Sequence, residues 1–144
     1  MYLQGKQVRA KVPDLPEAMN PSGFVDMGQN RDFQLMVIGE STMAGVGVKT
    51  HEEGFGGELA SALAKQLNKN IRWKVYAKNG VTAKRVIEEL LPTITEKKVD
   101  LIAIGLGGND AFHGNSPRTW RQGARQIIQQ LLSLIHISEP TRPY

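Results

Sequence analysis

The sequence predicts an α/β protein: a three-layer α/β/α sandwich around a mostly parallel sheet. Three observations carry this. Apolar runs of strand length occur three times, a helical repeat follows each of them, and the strand–helix alternation is not interrupted. The 144 residues are one domain's worth of chain, and 40% hydrophobic with 22% charged residues is ordinary for a globular fold.

The first run, Phe33–Ile38, and the third, Leu101–Leu106, are almost continuously apolar. Strands of a parallel sheet that are covered on both faces have this pattern. The second run, Ile71–Ala77, alternates Ile71, Trp73 and Val75 with Arg72, Lys74 and Tyr76, which suits a strand nearer an edge. Phe55, Leu59, Leu63 and Leu67 recur at steps of four and mark one face of a helix. Val86, Ile87, Leu90 and Leu91 mark a second helix, ended or kinked by Pro92. Trp120, Ala124, Ile127, Ile128 and Leu131 mark a third, with Ser116 as N-cap and Pro117 at the first helical position. Trp73 and Trp120 read as packing residues, and Lys84-Arg85 and Lys97-Lys98 as solvated charges.

Residues 1–32 hold Pro13, Pro16, Pro21, Gly23 and Gly28 without periodicity and read as an extended lead-in. No apolar stretch near Met1 has the length of a signal peptide. The protein is expected in the cytoplasm if Met1 is the true start, and anchored or exported if an upstream segment is missing. At the other end, Leu132–Arg142 matches, codon for codon, the translation of a transposase sequencing adapter. Residues 132–144 are therefore expected to be non-native, with the natural chain continuing beyond residue 131.

Composition excludes several functions. The net charge of +4 is mildly basic, and the basic cluster Lys6, Arg9 and Lys11 has only Tyr2 beside it, so no nucleic-acid partner is expected. No apolar run approaches a membrane span. The absence of cysteine removes a thiol nucleophile and a thiolate zinc site, and no His, Asp or Glu cluster has metal-ligand spacing, so neither metal nor cofactor is expected.

In parallel sheets function collects beyond the carboxyl ends of the strands. Here those ends read Gly39-Glu40-Ser41-Thr42-Met43-Ala44-Gly45, Asn79-Gly80-Val81 and Gly107-Gly108-Asn109-Asp110. Converging in one crevice, they would bring together a hydroxyl, an unobstructed backbone N–H and a side-chain amide. An ester cleaved through a serine needs this set: a nucleophile and preorganised donors for the developing oxyanion. Other motifs fail on detail. Gly45 is followed by Val46-Gly47 rather than the Lys-Ser/Thr of a phosphate loop, Thr50 stands where a dinucleotide fingerprint needs its third glycine, and Met43 stands where an α/β-hydrolase elbow needs its second.

The three turns resemble three of the four sequence blocks of the SGNH hydrolases, the GDSL esterase/lipase family: Gly39-Glu40-Ser41 with Gly45, the lone Gly80, and Gly107-Gly108-Asn109-Asp110. The resemblance covers residues 33–131, a partial SGNH hydrolase domain ending after the third βα unit. It implies a flavodoxin-like sandwich, a small-molecule acyl ester as substrate, Ser41 as nucleophile, and Ser41, Gly80 and Asn109 as the oxyanion hole. Gly39, Glu40, Gly107 and Asp110 would support the turns. Two features depart from the family. Glu40 replaces its Asp, and no Asp-x-x-His, the block that supplies the general base, occurs in the chain. His136 is preceded at the Asp position by Ser133 and lies in the tail, His51 reads as a solvated loop residue, and His113 could line the pocket. The chain as it stands is therefore expected to be nearly inactive. The alternative is a non-catalytic module that holds a small ligand or glycan in the same crevice.

Overall fold

A computed structural model describes residues 15–135. The elements run β1 (Ser22–Val25), β2 (Asp32–Gly39), α1 (Phe55–Leu67), β3 (Asn70–Ala77), a short α2 (Ala83–Arg85), β4 (Leu101–Gly105), α3 (Gly108–Phe112) and α4 (Pro117–Leu132). The strand order is β1-β3-β2-β4. β2 is parallel to both β3 and β4, with Gly39 opposite Ala77 on one side and Gly105 on the other. β1 lies antiparallel on the outer edge of β3, so part of the proline-rich lead-in is a strand of the sheet. β3 is consequently one place in from the edge.

Each face of the sheet has its own core. On one, Leu35, Val37, Ile71, Trp73 and Val75 meet Ala60 and Ala64 of α1. Gly56, Gly57, Ala60 and Ala64 are the buried residues of α1, so small residues let the helix lie close to the strands. On the other face, Met36, Ile38 and Tyr76 meet Val81, Ala83, Val86, Ile127 and Leu131. Helices on both faces of one sheet make three layers, the mixed α/β architecture expected.

The caps explain where helices begin and end. Ser116 Oγ accepts from Thr119 N at 3.1 Å and Pro117 opens α4. Beyond α2 the helix does not stay regular: Val86–Leu90 form one π-helical turn, in which the Leu91 N–H reaches the Val86 carbonyl, and Leu91–Thr93 tighten into a 3₁₀ turn. Pro92 is the cause, because it has no N–H to continue the ladder and its ring crowds the preceding turn. Trp73 is buried, whereas Trp120 keeps 37% of its surface exposed.

Among the described residues β4 has a strand on one side only. An isolated parallel bridge, Val99 to Ile135, extends that edge by a single pair, with Leu134 and Ile135 against the core. The rest of the 132–144 tail, with His136, lies outside the described residues, as do Lys6, Arg9, Lys11 and Pro13. No helix among the described residues is long and apolar enough to cross a membrane.

Candidate active site

The carboxyl ends of β2, β3 and β4 are bonded to one another. The Lys78 N–H donates to the Gly39 carbonyl at 3.1 Å, and the Glu40 N–H to the Gly105 carbonyl at 3.0 Å. Side chains add to this. Glu40 accepts from Gly108 N at 2.9 Å, from Asn109 N at 3.2 Å and from Asn109 Nδ2 at 3.0 Å. Asn109 Nδ2 also donates to the Val81 carbonyl at 3.1 Å. All three turns are thus joined, and Glu40, placed by the sequence only as support for its own turn, spans from the first to the third. The close approach needs glycine: a Cβ at Gly39 would lie 2.2 Å from the Gly105 carbonyl oxygen.

Asp110 is buried with both oxygens in use. Oδ2 accepts from Ala83 N at 2.8 Å, tying the third turn to the start of α2, and Oδ1 accepts from Asn115 Nδ2 at 2.8 Å. Gly80 has φ +74°, a conformation that side chains disfavour, and no described group bonds its N–H. Arg85 Nη1 contacts the Gly80 carbonyl at 3.4 Å. That arginine is not simply solvated: it forks onto Glu89 at 2.6 and 3.0 Å. With Arg85, and then Lys78, beside it, Glu89 is held down to about pKa 2.

Ser41 is half-buried and lines a groove of about 470 Å³ with Val46, Val48, Glu53, Phe55 and Glu58. Gly80 and Asp110 line another, of about 500 Å³, with His113. Ser41 and Gly80 thus line different grooves. Among the described residues no group hydrogen-bonds the Ser41 hydroxyl, and both hydrogens of Asn109 Nδ2 are already engaged. An oxyanion could take that amide only if Glu40 or Val81 gave up its share.

Neither candidate histidine reaches Ser41. His113 is exposed, with Nδ1 2.7 Å from the Asn109 carbonyl. His51, expected in solvent, is buried at 5% exposure, and its Nδ1 has no hydrogen-bond partner among the described residues. Its N–H donates to the Met19 carbonyl and its own carbonyl accepts from Gly54 and Gly57, so lead-in, loop and helix start close around it. Burial holds its pKa below the usual histidine range, opposed by the charge of Glu17.

The sequence reading missed what the lead-in does here. Glu17 Oε1 accepts from Asn79 N at 2.6 Å, beside Gly80. No periodicity marks Glu17, and its partner is 62 residues away. No cluster of three or more His, Asp or Glu residues capable of holding a metal occurs among the described residues.

A serine, a glycine turn and an Asn-Asp turn at the ends of adjacent parallel strands are a strong pattern. The sequence profile of the GDSL-like Lipase/Acylhydrolase family matches residues 37–141. The chain belongs to this family. Its similarity extends to a GDSL-like esterase of Mycobacterium tuberculosis, 34% identical over 93 residues, which are 62% of this chain and 30% of that protein. Among solved structures it is similar to TesA, with TM-score 0.60 and 28% identity over 69% of this chain and 54% of the other. AlinE4, described as an SGNH-hydrolase family esterase, gives TM-score 0.61 and 27% identity over 73% of this chain and 56% of the other. The GDSL-like chain thus spans little more than half the length of those structures and under a third of the mycobacterial esterase.

Proposed function

We propose that the intact protein hydrolyses small acyl esters through Ser41. In this mechanism Ser41 Oγ attacks the ester carbonyl carbon while its proton passes to a base. The ester C–O bond then breaks, the leaving alcohol takes that proton, and water releases the acyl group from Ser41. The Ser41 and Gly80 N–H groups and the Asn109 side chain would hold the oxyanion. The observation that carries this reading is the hydrogen-bonded joining of the three turns, with no described group taking the Gly80 N–H.

The base would come from a segment outside this sequence, since no Asp-x-x-His occurs in it. The 144-residue chain alone is then expected to turn over esters about 10⁴–10⁶-fold below a complete enzyme. One observation favours the second reading, a non-catalytic module for a small ligand or glycan: the Asn109 amide is already fully bonded.

Reading the source locus past the codon for Gln130 separates the two, followed by assay of the complete product on nitrophenyl acyl esters. The enzyme reading expects an Asp-x-x-His downstream, and a loss on the order of 10⁴-fold or more in kcat for Ser41→Ala. A frame that ends at Tyr144, with ligand binding but no labelling by a serine-directed phosphonate, would leave the module.

A further inference from the structure

We infer that the lead-in Pro16–Pro21, which precedes the residues matched by the family, is part of the oxyanion machinery, with Glu17 as a positioning residue for the Gly80 N–H. The inference rests on Gly80 being an oxyanion donor. That N–H belongs to the peptide joining Asn79 to Gly80. A loop peptide rotates freely unless its neighbours are held, and both are. On one side the Asn79 N–H is fixed by Glu17 Oε1 at 2.6 Å. On the other the Gly80 carbonyl is met by Arg85 Nη1, itself anchored on Glu89. The peptide between is bracketed, which aims its N–H before any substrate arrives. Donors held in advance need no reorganisation during reaction.

Glu17 is itself held in register by the segment around it. The Pro16 carbonyl accepts from Gly47 N at 3.4 Å and Ala18 N donates to the Ala44 carbonyl at 3.0 Å. Met19 N donates to the Lys49 carbonyl at 3.0 Å, and Val75 N donates to the Pro21 carbonyl at 2.7 Å. One strap therefore runs along the loop that follows Ser41, docks on β3, and reaches across to the Gly80 turn. It sets nucleophile loop and donor turn relative to each other. Glu17 is exposed, so its contribution to overall stability is small and its effect is local.

The first arm of the test uses the 144-residue chain, ¹⁵N-labelled, as wild type, Glu17→Ala and Glu17→Gln. Glu17→Ala should speed hydrogen exchange at the Asn79 amide about tenfold, the worth of one charge-assisted bond at an exposed site, while Val37 and Ile38 amides stay unchanged. Glu17→Gln keeps an acceptor oxygen and should restore protection. In a second arm, on the complete product of the source locus with its Asp-x-x-His, a neutral nitrophenyl alkylphosphonate titrates Ser41. Glu17→Ala should lower the limiting labelling rate about tenfold at unchanged half-saturation, with Glu17→Gln recovering it. Equal Asn79 exchange in wild type and Glu17→Ala, or a Glu17→Gln variant that behaves like Glu17→Ala in both arms, overturns the inference. A complete wild-type product that is not labelled at Ser41 refutes the serine reading instead, and the exchange arm then decides Glu17 by itself.

Discussion

β2 and β4 are written in nearly the same alphabet, Phe33–Ile38 against Leu101–Leu106, and the fold treats them differently. Leu35, Met36, Val37 and Ile38 keep at most 2% of their surface, whereas Ile104 keeps 42%. β2 has β3 on one side and β4 on the other, with a packed core over each face. β4 has only β2 beside it, apart from the Val99–Ile135 bridge, among the described residues. Apolar composition states what a strand tolerates, and its neighbours decide how much of it is covered. The contrast matters for the site, since Ser41 follows the well-supported strand and Asn109 the poorly supported one. Polar bonds from Glu40 and Asp110 hold the Asn109 turn where apolar packing is thin.

The largest effect should be at Ile38. Ile38→Ala is expected to cost about 3–4 kcal/mol in urea unfolding, because the site is closed on all sides. Asp110→Ala should follow at about 2–3 kcal/mol, leaving the Ala83 N–H and the Asn115 amide without their acceptor. Glu40→Ala should cost about 1 kcal/mol, since the turn is partly solvated. The same variant should also shift the Asn109 side-chain amide resonances in a ¹⁵N spectrum, which a loss of stability alone would not do. Ile104→Ala is expected to stay within about 1 kcal/mol. Equal costs at Ile38 and Ile104 would abolish the distinction between the two strands. Ile104→Lys sharpens it: an exposed apolar edge invites pairing between chains, and the charge should reduce self-association in sedimentation while leaving the melt in place.

The smallest effect belongs to pH. His51 has a lowered pKa in the fold, so below the ordinary histidine value, about 6.5, the unfolded chain binds more protons than the folded one. Stability is complete above that value and declines as pH falls toward the folded pKa. A pH series of melts on wild type and His51→Asn checks this, and the variant should lose that limb of the curve.

Much of the architecture was legible locally. Phe55 through Leu67 repeat at helical spacing and form the predicted helix, and Ser116 and Pro117 start the last helix where their chemistry says one starts. The three strands fall where the apolar runs fall. Other features were not legible. Ser22–Val25 is short and flanked by turn residues, and pairing with β3, not its own pattern, makes it a strand. His51, beside Glu52 and Glu53, has a polar neighbourhood in sequence and a closed one in space. Pro92 announced a break but not its form, a π turn followed by a 3₁₀ turn.

By itself, then, the sequence determined the order of the three parallel strands and of the helical segments that follow them, and the turns that carry Ser41, Gly80 and Asn109. Periodicity, capping and turn chemistry act over a few residues and can be read within a window of that size. Only the tertiary structure decided that Ser22–Val25 joins the sheet, that Glu40 bonds Asn109 across 69 residues, and that Glu17 reaches Asn79 across 62. Such pairs depend on how the whole chain closes, and nothing in the residues beside either partner encodes the meeting.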